Sequence, residues 1–114
     1  MSEVHIGNLR HAIPHVLPDE LFTTLVSGAG VRVERIVSRG HSSEAGFWYD
    51  QEEDELVVVV AGRARIEILG QGELDLRALD FVLIPAHVKH RVSWTDPQND
   101  TIWLAVFYPP PPSP

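Results

Sequence analysis

From Val31 onward the chain is a succession of short segments rich in β-branched and aromatic residues, and this succession limits the fold more than any other feature. The segments are "VRVERIVS", "GFWYD", "ELVVVVA", "ARIEIL", "ELDLR", "DFVLIP", "HRVSWT" and "TIWLAVFY", with Gly, Pro, Asp or Asn between most of them. Eight such segments in about 80 residues is the spacing of an all-β sandwich or barrel. In "ARIEIL", Ala64, Ile66 and Ile68 fall on one face while Arg65 and Glu67 fall on the other, so this strand is half exposed. "LVVVV" and "WLAVF" are apolar on both faces and belong in the middle of a sheet or at a subunit contact. A homodimer formed through a sheet face is the expected assembly.

The ends read differently. "LPDELFTTLVSGAG" suits a short helix: Pro18, Asp19 and Glu20 fit a first turn, Leu21, Phe22, Leu25 and Val26 an apolar stripe, and Gly28 a stop. Residues 1–30 are therefore expected to form an N-terminal segment whose helix packs on a barrel of residues 31–108. Residues 109–114, a proline-rich run, lack backbone donors and favour an extended tail.

The 114 residues suit one domain, which on folding buries roughly two-thirds of the surface its unfolded chain exposes. With no cysteine, disulfides, thiolate metal sites and a cysteine nucleophile are excluded, and any metal must be held by N and O ligands. A formal net charge of -7 and no Lys/Arg cluster argue against nucleic acid and anionic membrane surfaces as partners. No apolar run approaches the roughly 20 residues that span a bilayer, and the N-terminus lacks the apolar block of a signal peptide. The cytoplasm is the expected location.

The polar residues at strand starts point to chemistry. If Glu55 opens a strand, it shares a face with Val57 and Val59, and a carboxylate facing the interior requires a hydrogen-bond, ionic or metal partner. Glu52, Glu53 and Asp54 then form a solvated hairpin tip. Tyr49 and Gln51, two apart, share one face of the preceding strand and come beside Glu55. After Pro85, His90 is expected on the face of Val92 and Trp94, with His87 in the turn able to swing toward the same point. A hydrogen-bonded Glu55–His90 pair that merely satisfies both groups is the simplest structural alternative.

These residues resemble the motifs of a small single-domain cupin, a double-stranded β-helix barrel. The family's first motif, G(x)5HxH(x)3-4E(x)6G, is met by Glu55 and Gly62 in "ELVVVVAG". The second, G(x)5PxG(x)2H(x)3N, is met by Pro85 and His90 in "PAHVKH". The resemblance covers about residues 31 to 108. It implies a cupin-type β-barrel, or jelly roll, and one divalent metal held inside by two histidines, the glutamate and the second-motif histidine. Here the HxH places fall on Tyr49 and Gln51, or on Trp48 and Asp50 at the longer spacing. Leu79 and His87 stand at second-motif glycine places, and Trp94 at the asparagine place.

The resemblance thus implies a ligand set of Gln51, Glu55, His87 and His90 for Fe, Mn, Ni or Zn, with Asp50 and His41 as further candidates and Tyr49 as a substrate contact. A neutral amide is a poor transition-metal ligand, so Gln51 weakens such a site relative to histidine. Two readings follow: a metal-dependent enzyme acting on a small organic molecule, or a metal-free small-ligand-binding or structural dimeric cupin. His5, His11 and His15 are expected at the surface, as are Arg32, Arg35 and Arg39 on a solvated strand face. Neither GxSxG, GxxxxGK[ST] nor HExxH occurs.

Overall fold

The computed structural model describes residues 2–112. Eight strands run in chain order: β1 (Leu21–Gly28), β2 (Val31–Ser38), β3 (Asp54–Ala61), β4 (Arg63–Ile68), β5 (Gly72–Arg77), β6 (Phe81–Ile84), β7 (His90–Thr95) and β8 (Thr101–Tyr108). They form two antiparallel sheets, one of five strands in the order β1-β2-β8-β3-β6 and one of three in the order β5-β4-β7. No helix among the described residues is long and apolar enough to cross a membrane.

The two segments apolar on both faces, β3 and β8, lie inside the five-stranded sheet, each with a neighbour on either side. Burial on both faces suits an unbroken apolar run. Alternation holds in β4, where Ala64, Ile66 and Ile68 are buried and meet Val57, Val59, Trp103, Ala105 and Phe107 across the interior.

Two secondary-structure expectations for the first half of the chain are corrected. The segment read as a helix is strand β1, which pairs with β2 from Leu21↔Val37 to Gly28↔Val31. Thr23, Thr24 and Val26 are β-branched and stiff at χ1, and the open edge of β2 supplies backbone partners that an isolated short helix would lack. Glu20, placed in a helical first turn from the sequence, instead accepts a hydrogen bond from Ser38 Oγ at 2.5 Å. "GFWYD" makes no strand; its only sheet-like rung is the Tyr49↔His90 bridge. Gly46 takes φ +82° and Phe47 N–H donates to Glu44 C=O at 3.0 Å, a turn that shortens any ladder there.

The arginines of β2 are not one solvated row. Period two sends Arg32 and Glu34 to one face and Arg35 to the other. Arg35 is buried, and its Nη1 donates to the carbonyls of Leu9, at 3.0 Å, and His11, at 2.5 Å. Arg39 donates to His15 C=O at 2.8 Å and pairs with Asp100 at 2.6 Å. Residues 9–15 are thereby tied to the sheet without secondary structure of their own. Pro109–Pro112 are exposed and irregular; residues 113 and 114 of the expected tail lie outside the described residues.

At the start of β4, Gly62 has φ +88°, and a Cβ there would stand 2.6 Å from both Asp100 O and Thr101 Cα. Leu79 and His87, at the second-motif glycine places, also take left-handed backbone, φ 76° and 64°. The turn geometry therefore persists where its usual residue is gone. Gly62→Ala should lower stability by about 2 kcal/mol or more, because backbone atoms must shift. Leu79→Gly, at an exposed and strained site, should hold stability level or raise it by up to about 1 kcal/mol. Urea unfolding of the two variants checks both directions.

Candidate functional site

Between the sheets lies a cavity of about 220 Å³. Glu55 reaches it because it is the second residue of β3 and shares the inward face of Val57 and Val59. His90 reaches it from the other sheet, as the first residue of β7 opposite Ile68. Each is more than nine-tenths buried. His90 Nε2 lies 3.5 Å from Glu55 Oε1, and Gln51 Nε2 donates to the same oxygen at 3.2 Å. His90 Nδ1 lies 2.9 Å from Val88 C=O, so Nδ1–H donates to that carbonyl and Nε2 is the atom turned to the carboxylate.

Tyr49 is held by two backbone bonds, its N–H to His90 C=O at 2.7 Å and His90 N–H to its own C=O at 3.2 Å. Its ring stacks on the imidazole with centroids 5.5 Å apart and meets Phe47 edge-on at 4.8 Å. Burial, then the charges of Glu20 and Glu55, raise the Tyr49 pKa, so its hydroxyl remains a donor. For His90, burial opposes the charged form, yet the hydrogen bonds to Glu55 and Val88 and the Glu55 charge outweigh it, and its pKa is raised above 6.5.

Of the ligand set implied by the sequence, Gln51, Glu55 and His90 come together and His87 does not join them. His87 is exposed and its Nδ1 bonds Asp50 Oδ1 at 2.8 Å. His87 N–H donates to Gln51 C=O, so this turn braces the loop that carries Gln51. His41, the other candidate, is engaged with Pro18 C=O at 3.0 Å. Among the described residues no group of three or more His, Asp or Glu is arranged to hold a metal ion.

Trp94 does not share the face of His90 and Val92. A register shift between Arg65 and Ile66 in the β4–β7 ladder turns it to the Arg65 side, with the guanidinium 5.0 Å from its ring centroid. The acidic tip is also less idle than expected: Asp54 accepts Ala86 N–H at 2.8 Å, and Glu53 pairs with Arg32 at 3.3 Å.

Sequence reasoning missed three charged cavity residues: Glu20, Arg32 and Glu34. The usable signal was the period of β2, where Arg32, Glu34, Ile36 and Ser38 share a face beside the apolar strand β8. Polar groups facing inward beside such a strand require partners. Ser38 has them, bridging Glu20 and the buried indole Nε1–H of Trp103, 3.1 Å away.

Known proteins match this architecture. The Cupin domain family matches residues 35–107. A proposed mannose-6-phosphate isomerase from Ralstonia eutropha JMP134 is 44% identical, with 93% of this chain and 99% of that chain covered, at a TM-score of 0.90. A cupin superfamily protein from Desulfitobacterium hafniense DCB-2 is 19% identical, with 85% and 84% covered, at 0.70. An RmlC-like cupin with a double-stranded β-helix from Methanocaldococcus jannaschii is 16% identical, with 85% and 86% covered, at 0.67. At the last two identities the likeness is one of fold. Among curated proteins nothing matches. With a family match over more than half its length and a relative 44% identical across nearly all of it, this chain belongs to the cupin domain family.

Proposed function

We propose that the cavity binds a small hydroxylated molecule and that the Glu55–His90 pair exchanges a proton with it. The observation that carries this reading is a buried acid and a buried imidazole, delivered by different sheets, facing one cavity at 3.5 Å. The imidazole of such a pair takes up and releases a proton in the range where histidine titrates, which general acid–base work requires. Gln51 and the Tyr49 hydroxyl add a donor and acceptor set suited to ligand hydroxyls. The 44% identity to the Ralstonia protein supports a hydroxylated ligand, since a hexose phosphate is what that protein's name implies.

The metal expected from the family fits the present donors poorly. Glu55 and His90 are two strong ligands, whereas catalytic transition-metal sites use three protein ligands as a rule. The first-motif places hold a phenol and an amide, and a neutral amide binds such metals weakly. No step is therefore assigned to Fe, Mn, Ni or Zn. The dimer remains a proposal as well; it is supported by Phe81 and Leu83, exposed apolar residues on the edge strand β6.

Metal content, the His90 titration and the mass in solution check this reading. Protein purified without chelator should contain less than stoichiometric metal by elemental analysis, and EDTA should leave ligand-induced thermal stabilisation unchanged. Stoichiometric metal that His90→Ala abolishes would reverse the reading. By NMR, the His90 imidazole should titrate above 6.5, and Glu55→Gln should bring it down. Because its folded pKa is raised, the stability that protonated His90 contributes is fully present below its unfolded pKa and lost as pH rises through the folded value. Light scattering should give twice the chain mass, and Phe81→Glu should halve it.

A further inference from the structure

Arg35 is a buried cation with no acid bonded to it. Period two in β2 sends Arg32, Glu34 and Ile36 to the cavity and Arg35 to the opposite, outer face of the sheet. There it is 6% exposed, and none of its bonds runs to a carboxylate. Nη1 donates to the carbonyls of Leu9 and His11, and Nη2 donates to Thr23 Oγ1 at 3.2 Å. The buried Nε has no hydrogen-bond partner among the described residues. Arg32, Arg39, Arg63 and Arg91 each reach an acid, although each is more exposed. A guanidinium keeps its charge inside a protein, and neutral carbonyls replace only part of the hydration it loses. The counter-charge that the other four arginines find within the chain is missing for the one that most requires it.

Beside Arg35, the irregular arm and strand β1 enclose a groove of about 530 Å³ that opens to solvent. Arg35 is the most buried of its lining residues. No Asp or Glu lines the groove, in a chain whose formal net charge is -7. Two exposed histidines of the arm, His5 and His11, bring imidazole N–H groups to it. Asn8 lines it too; its Oδ1 already accepts Arg10 N–H at 2.8 Å, which leaves the amide NH2 to donate. The groove thus holds one fixed positive charge, a ring of donors and nothing that repels an anion. It shares no lining residue with the cavity between the sheets.

We propose that this groove is a second binding site, which takes the phosphate or carboxylate group of a small molecule, with Arg35 supplying the charge and His5, Asn8 and His11 the outer donors. The planar fork of a guanidinium matches either group, and burial strengthens the attraction because little water screens it.

The test uses the intact protein in phosphate, acetate or chloride at equal pH and ionic strength, so that general screening is common to all three. Phosphate, acetate or both should raise Tm above the chloride value, by about 5 °C at ten times Kd. In NMR the Arg35 Nε–H signal should move with the same Kd. Thr23→Asp sets a carboxylate directly across the β1–β2 pair from Arg35 and should raise Tm in chloride while abolishing the response to either anion. His11→Asp, a change to an exposed side chain of the arm, should weaken that response in the same direction. Equal Tm in all three salts overturns the site. Stabilisation that leaves the Arg35 signal unmoved, or that persists undiminished in both variants, places the anion elsewhere and overturns it as well.

Discussion

The structure turns on a carboxylate placed where water is scarce. Glu55 follows a loop of acids, but the period of β3 turns it inward with Val57 and Val59, to 7% exposure. An acid in that position must be matched, and every match comes from elsewhere in the chain: His90 from the opposite sheet and Gln51 from the loop before β3. Removing one partner would leave the other buried and unsatisfied, which costs more than the pair contributes. The pair therefore fixes how the two sheets meet at this end of the barrel.

Around it, polar groups are satisfied in series. Trp103 donates to Ser38, Ser38 donates to Glu20, and Glu20 borders the cavity near Tyr49. This series carries order from the core strand β8 to the mouth through two hydrogen bonds. Arg32 completes the rim from the same face of β2. The barrel thus presents a cavity whose polar side chains are preset by neighbours rather than left to adjust on binding, which lowers the entropy a ligand must overcome.

Much of this was readable in the residues, because β periodicity is a short-range signal. Seven strands were legible as segments, including the placement of Glu55 with Val57 and Val59. What failed depended on partners outside the segment being read. β1 looked helical until the edge of β2 is considered, and Trp94 changed faces because of one bulge in the β4–β7 ladder. Arg35 read as solvated, since nothing local announces that residues 9–11 will fold over it. Among the candidate site residues, those on the strand starts and in the loop before β3 met, while His87 took a neighbour in Asp50 instead. The family motif was recognisable despite missing histidines and glycines because the backbone it encodes survives, with Leu79 and His87 bent as glycines would be.

The way Arg35 and Arg39 hold residues 9–15 bears on where this chain can be cut. The family match begins at residue 35, within β2, and ends at 107. A fragment trimmed to that match would discard β1 and half of β2, and would strand a guanidinium whose acceptors, the Leu9 and His11 carbonyls, had been removed. The recognisable motif region is therefore smaller than the cooperative unit, and the irregular arm, which carries no motif at all, is structurally part of the barrel.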